Sequence, residues 1–389
     1  MKKPKGKINI LFCITHVPYI GGAEIATLNT IKHLNKNKFS AKVLLPRESR
    51  FAALLRSNGI HTQIIPMFRR WERFRERLTS YVHMHNIHLM HLINMRCFEF
   101  NSALVAKMAG IPVIWHMHFR FDAAFPKMGK TKRKALLSLM HSLASKIVGC
   151  SRYSAAQFTE VGLKKNVVAL PNGVDVKMLE CSIDKSRRLF RGAYGIQKDE
   201  FLVGMVSRIT PQKRPFDFIR TAARMKRRYP AVKFILVGSD TTKEYWARIQ
   251  KASAEKVILT GFYERTPEVM HALDVLLFPA IKDTAGLVIL EAMACKKPVV
   301  AADSGGVREI IVPRKTGIVV PPKQPAAFAQ AIIQLLQNPQ KARELGEQGY
   351  LRVKKHFEIR ASVRKIEALY QQVLAERKVI PRGKAFPYL

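Results

Sequence analysis

A repeated rhythm constrains this chain more than any other feature: short β-rich runs alternate with helix-compatible segments, pause, and then begin again. The first series reads "INILFCIT", "AKVLLP", "HTQIIP", "IHLMHLI", "IPVIWHM", "KIVGC" and "NVVAL"; the second reads "FLVGMVSR", "VKFILVGS", "KVILTG", "DVLLFP", "PVVAA" and "GIVV". Apolar runs separated by helices are the pattern of a parallel sheet covered on both faces. The restart predicts an α/β chain of two doubly wound, Rossmann-like units facing across a cleft. Their expected bounds are residues 1–175 and 200–356, with a polar, charge-rich linker at 176–199 and a C-terminal helix in 357–389 that can cross back to the first unit. Ligands of such folds bind outside the carboxyl ends of the strands. The first strand is followed by "THVPYIGGAE" rather than a G-x-G-x-x-G fingerprint, which counts against a dinucleotide dehydrogenase.

A length of 389 residues fits two domains, and 48% hydrophobic with 9% aromatic residues fits an ordinary globular protein. The formal charge of +39 invites a nucleic-acid partner, but both halves of the chain are basic, so no tail carries it. The sequence contains no helix-turn-helix, aromatic RNA-binding sheet motif or zinc finger, and the expectation is no nucleic acid. No window is apolar for the ~18 residues that a spanning helix needs. The start, "MKKPKGKINILFCITHV", imitates a signal peptide without a small-residue cleavage site and is read as a first buried strand. Five scattered cysteines without a C-x-x-C pair suggest a reducing, cytoplasmic setting.

The stretch "KDTAGLVILEAMACKKPVV", residues 282–300, carries the most informative chemistry. Leu287, Leu290 and Ala294 fall at helical spacing, and Lys296, Lys297 and Pro298 end the helix before a strand. Asp283 precedes that helix, where free backbone N–H groups and the helix dipole attract an anion. Glu291 lies within its apolar run, where a carboxylate is costly unless something hydrogen-bonds it. Two acceptors flanking an anion site suit a ligand with hydroxyls at both ends and phosphates between, which is the shape of a nucleotide sugar.

Taken in order, "GGAE", "PVIWHMH", "LPNGVD", "VSRITPQKRP", "LTGFYE", "DVLLFPAIKDTAGLVILEAMA" and "SGGVREII…TGIVV" resemble the glycogen-synthase-like group of retaining glycosyltransferases, glycosyltransferase family 4, with the GT-B fold. The resemblance implies that Asp283 and Glu291 are the family's two acidic residues, the first holding hydroxyls of the transferred sugar and the second the ribose hydroxyls. The family pattern has Glu where Asp283 stands, and Phe-Gly where this chain has Ala285-Gly286 followed by Leu287. Arg208 and Lys213 match the basic pair that clamps the diphosphate. Gly21 and Gly22 match the loop that lets backbone approach the donor. His118 matches the family histidine beside the transferred sugar, with His116, two residues away, as the alternative. The resemblance implies retention of configuration without a divalent ion, with a UDP- or GDP-linked hexose as donor. A possible metal cluster at His83, His85, His88 and His91 lacks standard ligand spacing.

Two segments of the first unit combine apolar and cationic residues. "MFRRWERFRERL" places Phe68, Trp71, Phe74 and Leu78 near helical spacing among Arg69, Arg73 and their neighbours. "HFRFDAAFPKMGKTKRKALLSLM" interleaves Phe125 with Lys130, Lys132 and Arg133. Segments of this kind lie on anionic membranes or bind anionic acceptors. The expectation is a cytoplasmic enzyme at the inner membrane face that glycosylates a glycan or lipid-linked acceptor in lipopolysaccharide or surface polysaccharide synthesis. The alternatives are a nucleic-acid-binding protein and a sugar-nucleotide epimerase on the same fold.

Overall fold

The structure, a computed structural model, describes residues 6–15, 20–67, 70–180, 183–239, 242–263 and 265–379. Its first sheet has seven parallel strands: β1 (Ile8–Ile14), β2 (Phe39–Leu45), β3 (His61–Ile64), β4 (Leu89–Ile93), β5 (Val113–Met117), β6 (Lys146–Gly149) and β7 (Val167–Ala169). They lie in the order β3-β2-β1-β4-β5-β6-β7. The second has six: β8 (Phe201–Val206), β9 (Val232–Val237), β10 (Ile258–Gly261), β11 (Val275–Phe278), β12 (Val299–Ala302) and β13 (Ile318–Val320), in the order β10-β9-β8-β11-β12-β13. Every run singled out in the sequence is a strand, because central strands of a parallel sheet are buried on both faces and read as continuous apolar stretches. β4 and β5 are buried along their whole length. Chain order reverses between β1 and β4 in one sheet and between β8 and β11 in the other, and these are the points where such sheets open a crevice at their carboxyl ends.

The chain divides into two compact units, residues 1–170 with 362–389, and residues 171–361. The expected linker at 176–199 is instead part of the second unit. It forms helices Val176–Leu179 and Ile183–Ala193, whose Val176, Leu179 and Phe190 are at most 5% exposed in the second unit's core. The charges that suggested a linker are one side of an amphipathic helix. Arg187 and Arg191 pair with Asp274 at 3.0 and 3.2 Å and donate to the carbonyls that end the helix Thr266–Ala272. Asp274 also accepts the Leu202 N–H at 2.7 Å, so one carboxylate joins this helix to the starts of β8 and β11.

The last helix, Ile359–Val379, starts in the second unit and from Ser362 onward belongs to the first. There Val363, Tyr370 and Val373 are at most 2% exposed. Lys146 pairs with Glu376 at 3.2 Å, and the Asn35 N–H donates to Glu367 at 2.6 Å.

In the helix Trp71–Met84, Phe74 is 1% exposed, Leu78 is buried, and Trp71 packs half-buried against the same core. Phe74 therefore leaves the set of membrane-facing residues: the helix turns its apolar side into its own unit. Phe68 and Arg69 lie outside the described residues. The second basic segment differs, with Phe125 38% and Leu139 43% exposed beside exposed Lys130 and Lys132; Arg133 is half-buried.

Removing the Asp274 carboxylate leaves the buried Arg191 guanidinium without its counter-charge. We expect Asp274→Ala to destabilise the second unit by about 2–4 kcal/mol, read from urea unfolding, whereas Glu255→Ala, at an exposed pair, changes it by less than about 0.5 kcal/mol.

Candidate functional site in the second unit

β8 ends at Val206, and the chain turns through Arg208 into the short 3-10 turn Pro211–Lys213 before the helix Pro215–Lys226. Arg208 is exposed and Lys213 half-buried. β11 ends at Phe278, and its loop carries Asp283 to the start of helix Leu287–Ala294. Two hydrogen bonds join the loops: the Ile281 N–H donates to the Gln212 carbonyl at 2.9 Å, and the Gln212 side-chain amide donates to the Lys282 carbonyl at 3.0 Å. The switch point between β8 and β11 thus brings Lys213 to Asp283.

The two form an ion pair through Lys213 Nζ and Asp283 Oδ2, with side chains only 18% and 13% exposed. Asp283 Oδ1 accepts the N–H groups of Ala285 and Gly286 at 3.2 and 2.8 Å. Burial alone would raise the Asp283 pKa; the Lys213 charge and these hydrogen bonds outweigh it and hold the carboxyl below its usual range. Gly286 takes φ +47 at the helix N-cap, a left-handed turn that lets Asp283 reach back to its N–H. Gly305 (φ +66) is required for a different reason: a Cβ there would lie 2.1 Å from the Asp283 carbonyl, which accepts the Gly306 N–H at 2.8 Å. Asp283 is therefore fixed from three sides.

Glu291 stands one turn into the helix. Burial pushes its pKa up to about 8, and among the described residues its carboxyl makes no hydrogen bond. Its side chain is half-buried, and the raised pKa favours the protonated form near neutral pH, a form that can donate as well as accept. Ala285 and Leu287 are half-buried beside it in sequence, and Leu287 packs on the core of the second unit.

The remaining candidates belong to the first unit. Gly21 caps the helix Gly22–His33, its N–H donating to Glu24 at 3.0 Å. A Cβ on Gly22 would meet nothing within 4 Å, so the fold does not require glycine there. His118 lies just past the carboxyl end of β5, half-buried, with its N–H on Asn94 Oδ1 at 2.8 Å. His116 is inside the strand and 4% exposed. The histidines of the "HMHNIHLMH" run are apart: His88 accepts the Asn9 N–H at 2.9 Å, His85 packs on Tyr81, and His91 is buried in β4. Among the described residues no group of His, Cys, Asp and Glu forms a metal cluster.

Sequence reasoning missed Glu99, which is fully buried and accepts the N–H groups of Arg96 and Thr15, the latter at the end of β1. Burial raises its pKa to about 7. Its signal was present as a Glu at the third position of a helix, the position that folds back on the N-cap.

Residues 20–178 match Glycosyltransferase Family 4 and residues 186–352 match Glycosyl transferases group 1. The alpha-D-kanosaminyltransferase of Streptomyces kanamyceticus is 27% identical over 198 residues, 50% of this chain and 51% of that protein. The GDP-mannose-dependent alpha-(1-6)-phosphatidylinositol monomannoside mannosyltransferase of Mycolicibacterium smegmatis is 33% identical over 211 residues, 51% of this chain and 55% of that protein. The crystal structure of Anabaena HepE in complex with UDP-glucose superposes with a TM-score of 0.84 at 22% identity, covering 94% of this chain and 100% of that one. The chain spans about half the length of the curated relatives it matches. Two parallel sheets, each with its switch point, define the GT-B architecture. The chain therefore has the GT-B fold, with a segment that matches Glycosyltransferase Family 4 followed by one that matches Glycosyl transferases group 1.

The raised Glu291 pKa has a direct consequence. Between about 4.5 and about 8 the folded state holds a proton that the unfolded state has lost, so stability falls as pH rises through that window. Glu291→Gln cannot ionise, and its stability across the same window should lack this slope. Urea unfolding at pH 5, 6.5 and 8 checks it; parallel slopes for both proteins would mean that Glu291 is ionised in the fold.

Proposed function

We propose that the protein is a retaining glycosyltransferase that moves a hexose-type sugar from a UDP- or GDP-linked donor to a glycan or lipid-linked acceptor in cell-surface polysaccharide or lipopolysaccharide synthesis. The observation that carries this reading is the second unit's switch point: a half-buried Glu291 with a raised pKa, a helix N-terminus at Gly286, and Lys213 on the adjoining loop with Arg208. Glu291 takes the ribose hydroxyls, which can donate to its carboxyl oxygens. The diphosphate meets Arg208, Lys213 and the first-turn N–H groups. Asp283 holds hydroxyls of the transferred sugar. In the first unit, Gly22, beside Gly21, leaves open space against backbone for a ligand, and His118 stands beside the sugar.

In the reaction, the bond from the anomeric carbon to the diphosphate oxygen breaks, and a bond to the acceptor oxygen forms on the same face. The acceptor proton passes to the departing phosphate. Negative charge grows on the diphosphate as it leaves, and fixed cations stabilise that charge more in the transition state than in the ground state. No divalent ion is needed for this, and Asp283 is a poor ligand for one, since both its oxygens already accept from Lys213 and backbone N–H groups. The matched relatives support the donor class: one uses GDP-mannose, and the HepE structure holds UDP-glucose.

A thermal-shift panel of UDP- and GDP-sugars, followed by transfer assays with the donor that stabilises most, tests the reading. Arg208→Ala and Lys213→Ala should each cut turnover on the order of a hundredfold. Asp283→Asn should keep or raise affinity for the bare nucleoside diphosphate, because it releases Lys213 from its ion pair, while weakening the sugar-bearing donor. Full turnover at saturation in either cation variant removes that residue from the clamp.

The acceptor side of the proposal is a peripheral position on the anionic inner face of the membrane. From residue 123 to residue 159 the chain has no acidic residue, and exposed Phe125 and Leu139 flank Lys127, Lys130, Lys132 and Lys134. Trp71 and Arg73 contribute at most the outer side of their helix. We expect anionic vesicles to float the protein at low salt, and Lys130→Glu, Lys132→Glu and Lys134→Glu together to abolish flotation without changing nucleotide affinity. Unchanged flotation in the triple variant would move the contact elsewhere.

A further inference from the structure

Side chains alternate between the two faces of a strand, and this places Phe12 of β1, His91 of β4 and His116 of β5 on one face of the first sheet. Thr27 and Thr30 of the helix Gly22–His33 pack over that face, leaving no space for a water molecule among Phe12, His91, His116 and His118. Tyr370 of the last helix completes the arrangement. Its hydroxyl is 2.6 Å from His91 Nδ1, and His91 Nε2 is 3.3 Å from His116 Nδ1. The His91 and His116 rings stack at 14°, and the His118 ring lies 4.3 Å from that of His116.

The direction of these bonds follows from chemistry. Tyr370 is fully buried, which holds its phenol proton in place, and His91 is the hydrogen-bond partner of that hydroxyl among the described residues. The hydroxyl therefore donates to His91 Nδ1. His91 carries its own proton on Nε2 and donates it to His116 Nδ1, which leaves the His116 proton on Nε2. Burial lowers the pKa values of His91 to about 3 and His118 to about 4, so the array is neutral throughout. Imidazole prefers neither tautomer by much, and in a dry pocket no water can reset the choice.

We propose that Tyr370 is a positioning residue: through His91 it sets the tautomer of His116, and so the orientation of the His118 ring packed against it. The catalytic part of this rests on the reading that His118 stands beside the transferred sugar. A residue of the chain's last helix thus tunes a group at the carboxyl end of β5. Misorientation of a group beside the reacting centre costs rate while leaving the donor's main anchors, which lie in the second unit, untouched.

Tyr370→Phe keeps the aromatic ring, including its edge contact with Phe39, and removes the hydroxyl. Histidine 15N spectra of the full chain should show His91 and His116 shifting to mixed tautomers and the His118 resonances moving with them. With the best donor, kcat should fall on the order of tenfold with the donor KM unchanged. His91→Phe, which retains a ring between Phe12 and His116, should reproduce the kcat loss and serves as the variant if Tyr370→Phe does not fold. Unaltered His116 and His118 spectra in a folded variant overturn the proposal. Altered spectra with an unchanged kcat also overturn it, since Tyr370 would then matter to packing alone. If wild-type protein turns over no donor, the glycosyltransferase reading fails, and the spectra by themselves decide whether Tyr370 governs the histidines.

Discussion

A strand buried on both faces has no place for polar chemistry except at its ends, and this constraint organises both units. β4, β5, β11 and β12 are buried throughout, so the groups able to meet a ligand are pushed into the loops at their carboxyl ends. Where order reverses, adjacent loops diverge and leave room between them. Arg208 and Lys213 follow β8, Asp283 and Glu291 follow β11, Gly21 and Gly22 follow β1, and His118 follows β5. The candidate residues come from distant parts of the chain because each sheet admits polar chemistry only at such ends.

Within that frame the second unit holds opposite electrostatic states side by side. Asp283 is held charged because Lys213 and two N–H groups surround it, while burial without such partners raises the Glu291 pKa and favours its protonated form. One carboxyl is thus a fixed anion that restrains a cation, and the other, when protonated, is a neutral group with unused hydrogen-bonding capacity. A nucleotide that binds there has to share Lys213 with Asp283. That competition sets a lower affinity than two unpaired cations would give, and it spares the ligand-free chain an uncompensated charge in a partly buried place.

The strands were legible in the sequence because apolar continuity is itself the physical condition for a parallel core. Asp283 and Glu291 were legible because they interrupt that continuity. What composition obscured was direction: the charges at 176–199 look solvated until Asp274 and the carbonyl end of the helix Thr266–Ala272 are seen to receive Arg187 and Arg191. The same ambiguity made Phe74 look like a surface anchor, since helical spacing states that an apolar face exists and leaves open whether it meets lipid or its own core. The Tyr370–His91 bond joins positions 279 residues apart, and no local pattern could announce it.

The path of the last helix bears on how the chain is made. The first unit counts residues 362–389 among its own, and Val363, Tyr370 and Val373 are sealed in its interior. On the ribosome, residues 1–170 lack this part of their unit until the whole of the second unit has been synthesised. The second unit, continuous from 171 to 361, needs no such delay. The order of synthesis and the order of completion are therefore opposed, and the nascent first unit is the stage of biogenesis most exposed to chaperones and to aggregation.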